Sequence, residues 1–497
     1  MKKIIALFLL LALCLPLLFG CAASLSSESE KGENEEKEEV QKTEEAEETG
    51  EIVYPKGYSV GYASVDISGD PATGHMVYYG GTAEGVHDPL MLTCIALCDG
   101  ENVALIMTAD LKKMYGENWV GASNVAGRSL ELVEKNFGIP ADSVIISCTH
   151  SHSAPDAGED VAGNVRWQQQ YYKQLTKVVD KALRDLDEVE GAYTGKANVA
   201  EGSTFVRRYH LADGTFTSPG AAANAVAHES DADPELRTIR FDRKNKKDVL
   251  LVNFQTHYGG ADHRYPSQFS ADFVDPFRDQ AADEFDSLVA YYSGAGANIG
   301  FSTAIEGERK FNSYEEVVKS SFIPATKEAV NKEEKIDMGK VIGNRSIYTG
   351  TCMQRSPERV EQVREAGRAG GASSAEGASL MKKYGIESDL EIQHTLRHAS
   401  LPETLPVPFT AISFGDVAFC TTPYEMFDTN GKQVRDASPF QNTFVCTLAG
   451  GALGYVPSAL GFENGSYETF NCAFRPGSGE EFANELIRML NENYSKK

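Results

Sequence analysis

Residues 143–158 read SVIISCTHSHSAPDAG. An apolar, β-branched run leads straight into polar residues, the pattern of a strand buried on both faces. His150 and His152 therefore stand just past its carboxyl end, where open α/β sheets place their sites. Alternate residues of an extended chain point to one side, so the two imidazoles share a face if the strand persists; a turn in its place would separate their roles. A His-x-His pair alone also fits surface histidines or loop hydrogen bonding.

Outward from this stretch, similar runs recur: MLTCIALC, NVALIMTAD, DVLLVNFQT, LVAYYSG, FTAISFGDVAFC and NTFVCTLA. Each reads as a strand bounded by turn residues or a change of pattern. Helical periodicity falls between several of them, at Asn124–Asn136, Trp167–Leu186, Ala271–Phe285 and Tyr314–Asn331. Such alternation predicts an α/β protein with mixed β-sheets flanked by helices. An amphipathic helix closes the chain at Glu480–Leu490. Residues Arg364–Gly377, containing GRAGGASSAEG, read as a surface loop or lid.

Three more strand ends carry chemistry. DVLLVNFQTH delivers His257 into the glycine-containing loop THYGGADHRYP, with His263 a spare polar residue nearby. TAISFGDVAFCTTPYEMF leads to Glu425, and NTFVCTLAGGALGYVPS leads to Tyr455. Two imidazoles, a carboxylate and a phenolic oxygen form a borderline donor set that zinc accepts, and a position left open for water supports hydrolysis. Each residue also has an ordinary reading: a histidine satisfied by backbone, a locally paired carboxylate, a packed tyrosine. Spacing alone does not select Tyr455.

The ends set the location. Residues 1–20 join Lys2 and Lys3 to an apolar stretch that is short for a membrane span and holds Pro16, which reads as an export signal. Leu18, Phe19, Gly20 and Cys21 resemble a bacterial lipobox, so Cys21 is expected to carry a diacylglyceryl group and to anchor the protein on the extracytoplasmic face of the cell membrane. Residues 21–50 read as a flexible acidic tether; between Ala22 and Gly50 stand eleven Glu against three Lys. The formal charge of the whole chain is −25, which argues against a nucleic-acid partner. Seven cysteines remain besides Cys14 and Cys21, an odd number that cannot all pair within one chain. No zinc-ribbon spacing appears among them.

From Tyr58 to the C-terminus the chain resembles the catalytic region of the neutral/alkaline non-lysosomal ceramidase family. The resemblance rests on YSVGYASVDISG, GHMVYYGGTAEGVHDPL, NVALIMTADL, ISCTHSHSAPDAG, NFQTHYGG, the SADF stretch Ser270–Phe273, TTPYEMF and GYVPSALGFENGSYE. It implies a ceramidase-like catalytic domain over residues 51–497 and a zinc amidase that cleaves the N-acyl bond of ceramide-like or other N-acylated, amphiphilic substrates. On those motifs it implies His150, His257, Glu425 and Tyr455 as zinc ligands. It also implies His152 as an active-site histidine that binds the amide oxygen or shuttles a proton. A pocket arginine is implied by FVRRYH, with Arg207 preferred to Arg208 although Val206 stands where the family has Asn.

Two departures bear on substrate. Asn298 and Gly300 in SGAGANIGFS stand where the family has the aspartate and serine of a GDVSP-like segment, leaving Ser302 as a displaced counterpart. Ser458, Ala459 and Leu460 replace the family's threonine- and glutamate-containing sequence after the ligand tyrosine, and no immunoglobulin-like domain follows in this sequence. A metal-dependent hydrolase of other esters, peptides or cell-wall-derived amides shares the same ligand set. A non-catalytic binding lipoprotein is the third reading, and it leaves four strand-end donors without a role.

Overall fold

The computed structural model describes residues 51–70, 76–77, 81–116, 124–158, 162–218 and 224–497. The export signal, Cys21 and the tether to Gly50 lie outside these residues. Val53–Lys497 forms one unit.

The principal strands are β1 (Ser59–Asp66), β2 (Met91–Cys98), β3 (Val103–Ala109), β4 (Val144–Cys148), β5 (Asp187–Asn198), β6 (Glu235–Arg243), β7 (Val249–Phe254) and β8 (Leu288–Ser293). They form one mixed sheet in the order β8-β7-β6-β5-β1-β2-β3-β4, with the short strand Glu334–Ile336 added against β5. A second sheet joins β9 (Ile342–Thr351), β10 (Thr404–Phe414), β11 (Val417–Thr421) and β13 (Asn442–Cys446) in that order. A two-stranded parallel pair, β12 (Glu425–Met426) with β14 (Tyr455–Val456), stands beyond it.

Side-chain alternation builds the layers. In β7, Val249 and Leu251 face the second sheet and pack with Ile412, Phe414, Val417 and Phe419, while Leu250, Val252 and Phe254 face outward onto Phe273, Phe277 and Phe322. The same period of two sends Phe444 and Cys446 of β13 inward and Val445 outward. The sheets therefore pack face to face with helices outside both, an α/β architecture of four layers. The outer helices of the large sheet are α1 (Val125–Phe137), α2 (Ala162–Arg184), α3 (Val274–Phe285) and α4 (Ile323–Asn331). Behind the small sheet lie α8 (Asp428–Ala437) and α9 (Ser478–Tyr494). Among the described residues no helix is long and apolar enough to cross a membrane.

The expected helices are present with shifted ends. Asn124 is the N-cap of α1, its Oδ1 accepting from Gly127 N at 2.8 Å. The Tyr314–Asn331 segment is helical throughout but passes through a π turn at Val318–Phe322, just before Pro324. Proline has no N–H to continue the regular ladder, so the preceding turn widens. The seven cysteines beyond Cys21 are free and buried.

The reading of Arg364–Gly377 as a surface loop or lid is corrected. The segment belongs to a small helical subdomain, α5 (Pro357–Arg368), α6 (Ala375–Tyr384) and α7 (Asp389–His398), with its own core of Val363, Ala366, Met381, Ile386 and Ile392. Ser356, Ser374 and Ser388 each cap a helix by accepting a backbone N–H. Gly370 and Gly371, with φ of 97° and 54°, make the tight reversal between α5 and α6. Small residues that look like loop composition permit close packing here.

Candidate metal and catalytic site

The site forms where the carboxyl ends of three parallel strand pairs meet. β3 pairs parallel with β4, β7 with β8, and β11 with β13. The first two pairs lie at opposite ends of the large sheet, which curls until its edges touch. Tyr292 OH donates to Ile106 O at 2.7 Å and Ser293 Oγ donates to Thr149 O at 3.0 Å. Thr447 N, just past β13, closes the junction on Ser293 O at 3.1 Å.

His150 follows β4 and has a φ of 71°, in the left-handed region that a β-carbon disfavours. This turn swings its ring inward. Nδ1 lies 2.9 Å from the Lys112 carbonyl oxygen, which can only accept, so Nδ1 carries a proton and Nε2 turns into the site. That nitrogen faces His257 Nε2 at 3.2 Å, His152 Nε2 at 3.4 Å and Glu425 Oε2 at 3.3 Å. The nitrogens of His150, His152 and His257 all fall within 4.8 Å of one another.

Glu425 and Tyr455 arrive by register, paired directly across β12 and β14. Glu425 N bonds Gly454 O at 2.8 Å, which locks that pairing. Arg207 completes the set: Nη2 donates to Tyr455 OH at 3.1 Å and to Ala297 O at 2.9 Å. Its neighbour Arg208 turns the other way. It is fully buried, with Nε donating to Glu229 at 2.8 Å and Nη1 to Glu468 at 2.5 Å. Arg207 therefore faces the site and Arg208 the framework.

Burial pushes His152 and His257 well below the ordinary histidine value, and neighbouring cationic and imidazole groups push them further. Burial opposes ionisation of Glu425, but His150, Lys112 and a Tyr455 hydrogen bond outweigh it and hold the carboxyl down at about 2. The neutral imidazoles of His152 and His257 thus stand beside an ionised carboxylate whose Oε2 lies 3.3 Å from His150 Nε2. Lone pairs at such distances repel unless a cation or a shared proton stands among them. The nitrogen and oxygen donor set suits a borderline divalent ion such as zinc.

Carboxylates from the quoted motifs hold these loops, Asp110 and Asp272 buried and Asp88 partly so. Asp272 accepts from Gly259 N at 2.5 Å and Ala261 N at 2.8 Å, fixing the chain after His257. Asp110 accepts Thr149 Oγ1 at 3.1 Å and pairs with Arg278 at 2.7 Å. Asp88 accepts Ser270 Oγ at 2.6 Å, and Ser151 Oγ donates to Ser270 O at 2.5 Å, tying the His150 turn to the SADF stretch.

Asn298 is a framework residue. Its Nδ2 donates to Asp428 Oδ1 at 2.7 Å, and its carbonyl accepts Arg207 N at 2.8 Å. Gly300 and Ser302 line a cavity beside Arg207, whereas His263 is exposed at the far side of the same cavity. Sequence reasoning missed Tyr258, whose ring stacks on His152 at 3.5 Å between centroids, and Tyr467, edge-on to Tyr455 at 5.4 Å. It also missed Lys112, which supplies the His150 acceptor. Position next to His257 was the available signal for Tyr258; nothing local marked Lys112.

Burial pushes the Asp428 carboxyl up to about 6 from an ordinary 3.8. The folded chain then holds a proton that the unfolded chain has released between those values, so stability falls as pH rises through that window. Asp428→Asn cannot titrate, and its melting temperature is expected to vary less between about pH 4 and pH 6 than that of the parent. Calorimetric curves that stay parallel across this range would refute the assignment.

Solved structures place this architecture. The chain matches the crystal structure of a neutral ceramidase from Pseudomonas aeruginosa with a TM-score of 0.63 and 14% identity, covering 88% of this chain and 74% of that one. A ceramidase complexed with C2 matches with a TM-score of 0.64 and 14% identity, over 89% and 76% of the two chains. The fold is that of the ceramidases. No protein-family model and no curated protein matches the sequence. Within this ceramidase-like fold, two cavities of about 620 and 680 Å³ share Arg207, His257 and Tyr258 as a common wall, and His152 lines the larger. Helix α7, part of the segment whose neighbour read as a lid, walls the larger one through Leu390, Gln393 and His394.

Proposed function

We propose that this protein is a zinc-dependent hydrolase that cleaves the amide bond of N-acylated substrates. The observation that carries the proposal is the meeting of the His150, His152 and His257 nitrogens with the Glu425 carboxylate at the ends of three strand pairs. The likeness to ceramidase structures supports the amide as the bond attacked. The export signal and Cys21 support work at the outer face of the membrane, near amphiphilic molecules.

His150, His257, Glu425 and Tyr455 would hold the zinc ion, with His152 close enough to join or replace one of them. Bound there, zinc supplies Lewis acidity toward the amide carbonyl and lowers the pKa of water. The rest falls to the chain. Lys112 O fixes the ring of His150, and the Gly296 backbone does the same for His257. Arg207, held by Ala297 O and Tyr455 OH, presents its guanidinium to both cavities and stabilises the oxyanion that develops on the carbonyl. His152, neutral through burial and oriented by Tyr258, takes a proton at Nε2 from attacking water and returns it to the leaving amine.

Purified protein is expected to carry about one zinc per chain by plasma mass spectrometry, and to release free fatty acid from an N-acyl amide. Chelation abolishes the release and added zinc restores it. A zinc-loaded preparation that cleaves no member of an amide panel, while a ceramidase works alongside, would overturn the proposal. Cleavage confined to esters or peptides redirects it to another bond on the same ligand set.

A further inference from the structure

The smaller cavity is cationic in an acidic protein. Its wall carries Arg207, Arg264 and Arg309, and among the described residues no Asp or Glu lines it. The chain as a whole has a formal charge of −25. Such a local reversal of sign focuses the field inside a concave surface and favours an anionic occupant.

The arginines differ in how their charge is met. Arg309 donates Nε to Phe311 O and Nη2 to Asn312 O, both at 2.7 Å, so its hydrogen bonds end on neutral carbonyls. Its position is fixed while its charge is left without a carboxylate among the described residues. Arg264 pairs with Glu315, but both side chains are more than two-fifths exposed, and an exposed pair of this kind is weak and easily exchanged. Arg264 also stacks over Tyr314, at 5.1 Å to the ring centroid, which holds the guanidinium plane at the cavity wall.

Phe301 and Phe311 supply apolar surface in the same cavity. A substrate whose carbonyl sits at His257 and Arg207 can thus place one substituent in a cavity that also holds two aromatic rings and two further guanidinium groups. Planar, forked donors of this type suit carboxylate, phosphate or sulfate.

From this we infer that the preferred substrate is an N-acyl amide bearing an anionic group on its amine half, held by Arg264 and Arg309, rather than a neutral amide. The inference rests on the hydrolase reading above. In the reaction, water adds its oxygen to the acyl carbon and the C–N bond breaks. The acyl half leaves as a carboxylate, and the amine half takes a proton and leaves as an amino acid or other amine-bearing acid.

N-dodecanoylglycine and N-dodecanoylethanolamine share an acyl chain and differ in charge, so they isolate the effect. The zinc-loaded full-length protein is expected to favour the glycine conjugate in kcat/KM by about tenfold, the scale of one charge-assisted hydrogen bond. The Arg264→Met/Arg309→Met protein is expected to lose that preference. Lys310→Met, an exposed change outside this cavity, keeps the parental ratio. A parental ratio of one or below, or a ratio unmoved in the double variant, overturns the inference while leaving the hydrolase reading intact. If neither compound is cleaved, the amide panel above decides the hydrolase reading, and calorimetric titration of the same two compounds decides the anion site. Tighter binding of the glycine conjugate, lost in the double variant, supports it; equal binding refutes it.

Discussion

His150→Ala is expected to remove the metal and the hydrolytic activity together. Its ring is the hub of the site, within 3.4 Å of His152 and His257 nitrogens and of the Glu425 carboxylate. Loss of kcat/KM by about 10³-fold corresponds to about 4 kcal/mol of transition-state stabilisation, a reasonable size for losing a Lewis acid. The metal content distinguishes two ligand sets. If His150, His257, Glu425 and Tyr455 form the shell, His152→Ala retains stoichiometric zinc but loses turnover and flattens the pH profile. If the three histidines form it, His152→Ala loses zinc as His150→Ala does. Unchanged zinc in His150→Ala would remove the site altogether.

Arg208→Met is expected to be the most destabilising single change at the second centre of charge. The guanidinium is fully buried between Glu229 and Glu468 and also donates to Gly461 O at 3.0 Å and Gly465 O at 3.1 Å. Removing it leaves two buried carboxylates with little compensation, which costs about 3–5 kcal/mol. Urea unfolding should show the midpoint fall with no change in slope. Combining Arg208→Met with Glu468→Gln removes one stranded charge, so the double variant should lose less than the two single losses added together. Strict additivity would show that the pair is not coupled. Because Glu468 also lies 3.8 Å from Arg207 and accepts Ser218 Oγ at 2.7 Å, the same network braces the wall of the active site.

Much of this was legible along the chain because strands and helices leave periodic marks. The β7 run VLLVNF alternates between two buried faces, and the β4 run VIISC ends two residues before His150. Burial on both sides makes such runs uniformly apolar, and that uniformity is visible without coordinates. The helical subdomain was misread for the opposite reason. GRAGGASSAEG has turn composition, yet its Ser374 caps a helix and its glycines allow close approach, functions that depend on what packs against them.

The choice between Arg207 and Arg208 shows the same division. Adjacent arginines are equivalent in sequence, but the short pairing of Phe205–Val206 with Ile299–Gly300 sets one toward Tyr455 and the other toward Glu468. The departures at Asn298 and Gly300 likewise gain meaning only in space: the first anchors Asp428, and the second opens a cavity wall.

Sequence by itself determined the α/β class and the strand-end histidines at 150 and 257, since each is written in local pattern. Tertiary structure decided that opposite ends of one curled sheet meet, and so brings His150 to His257 across 107 positions. It likewise decided that Glu425 and Tyr455 share a register, that His152 points into the same cluster, and that one of the two flanking cavities is cationic. These are consequences of long-range packing and summed charge, which no window of neighbouring residues contains.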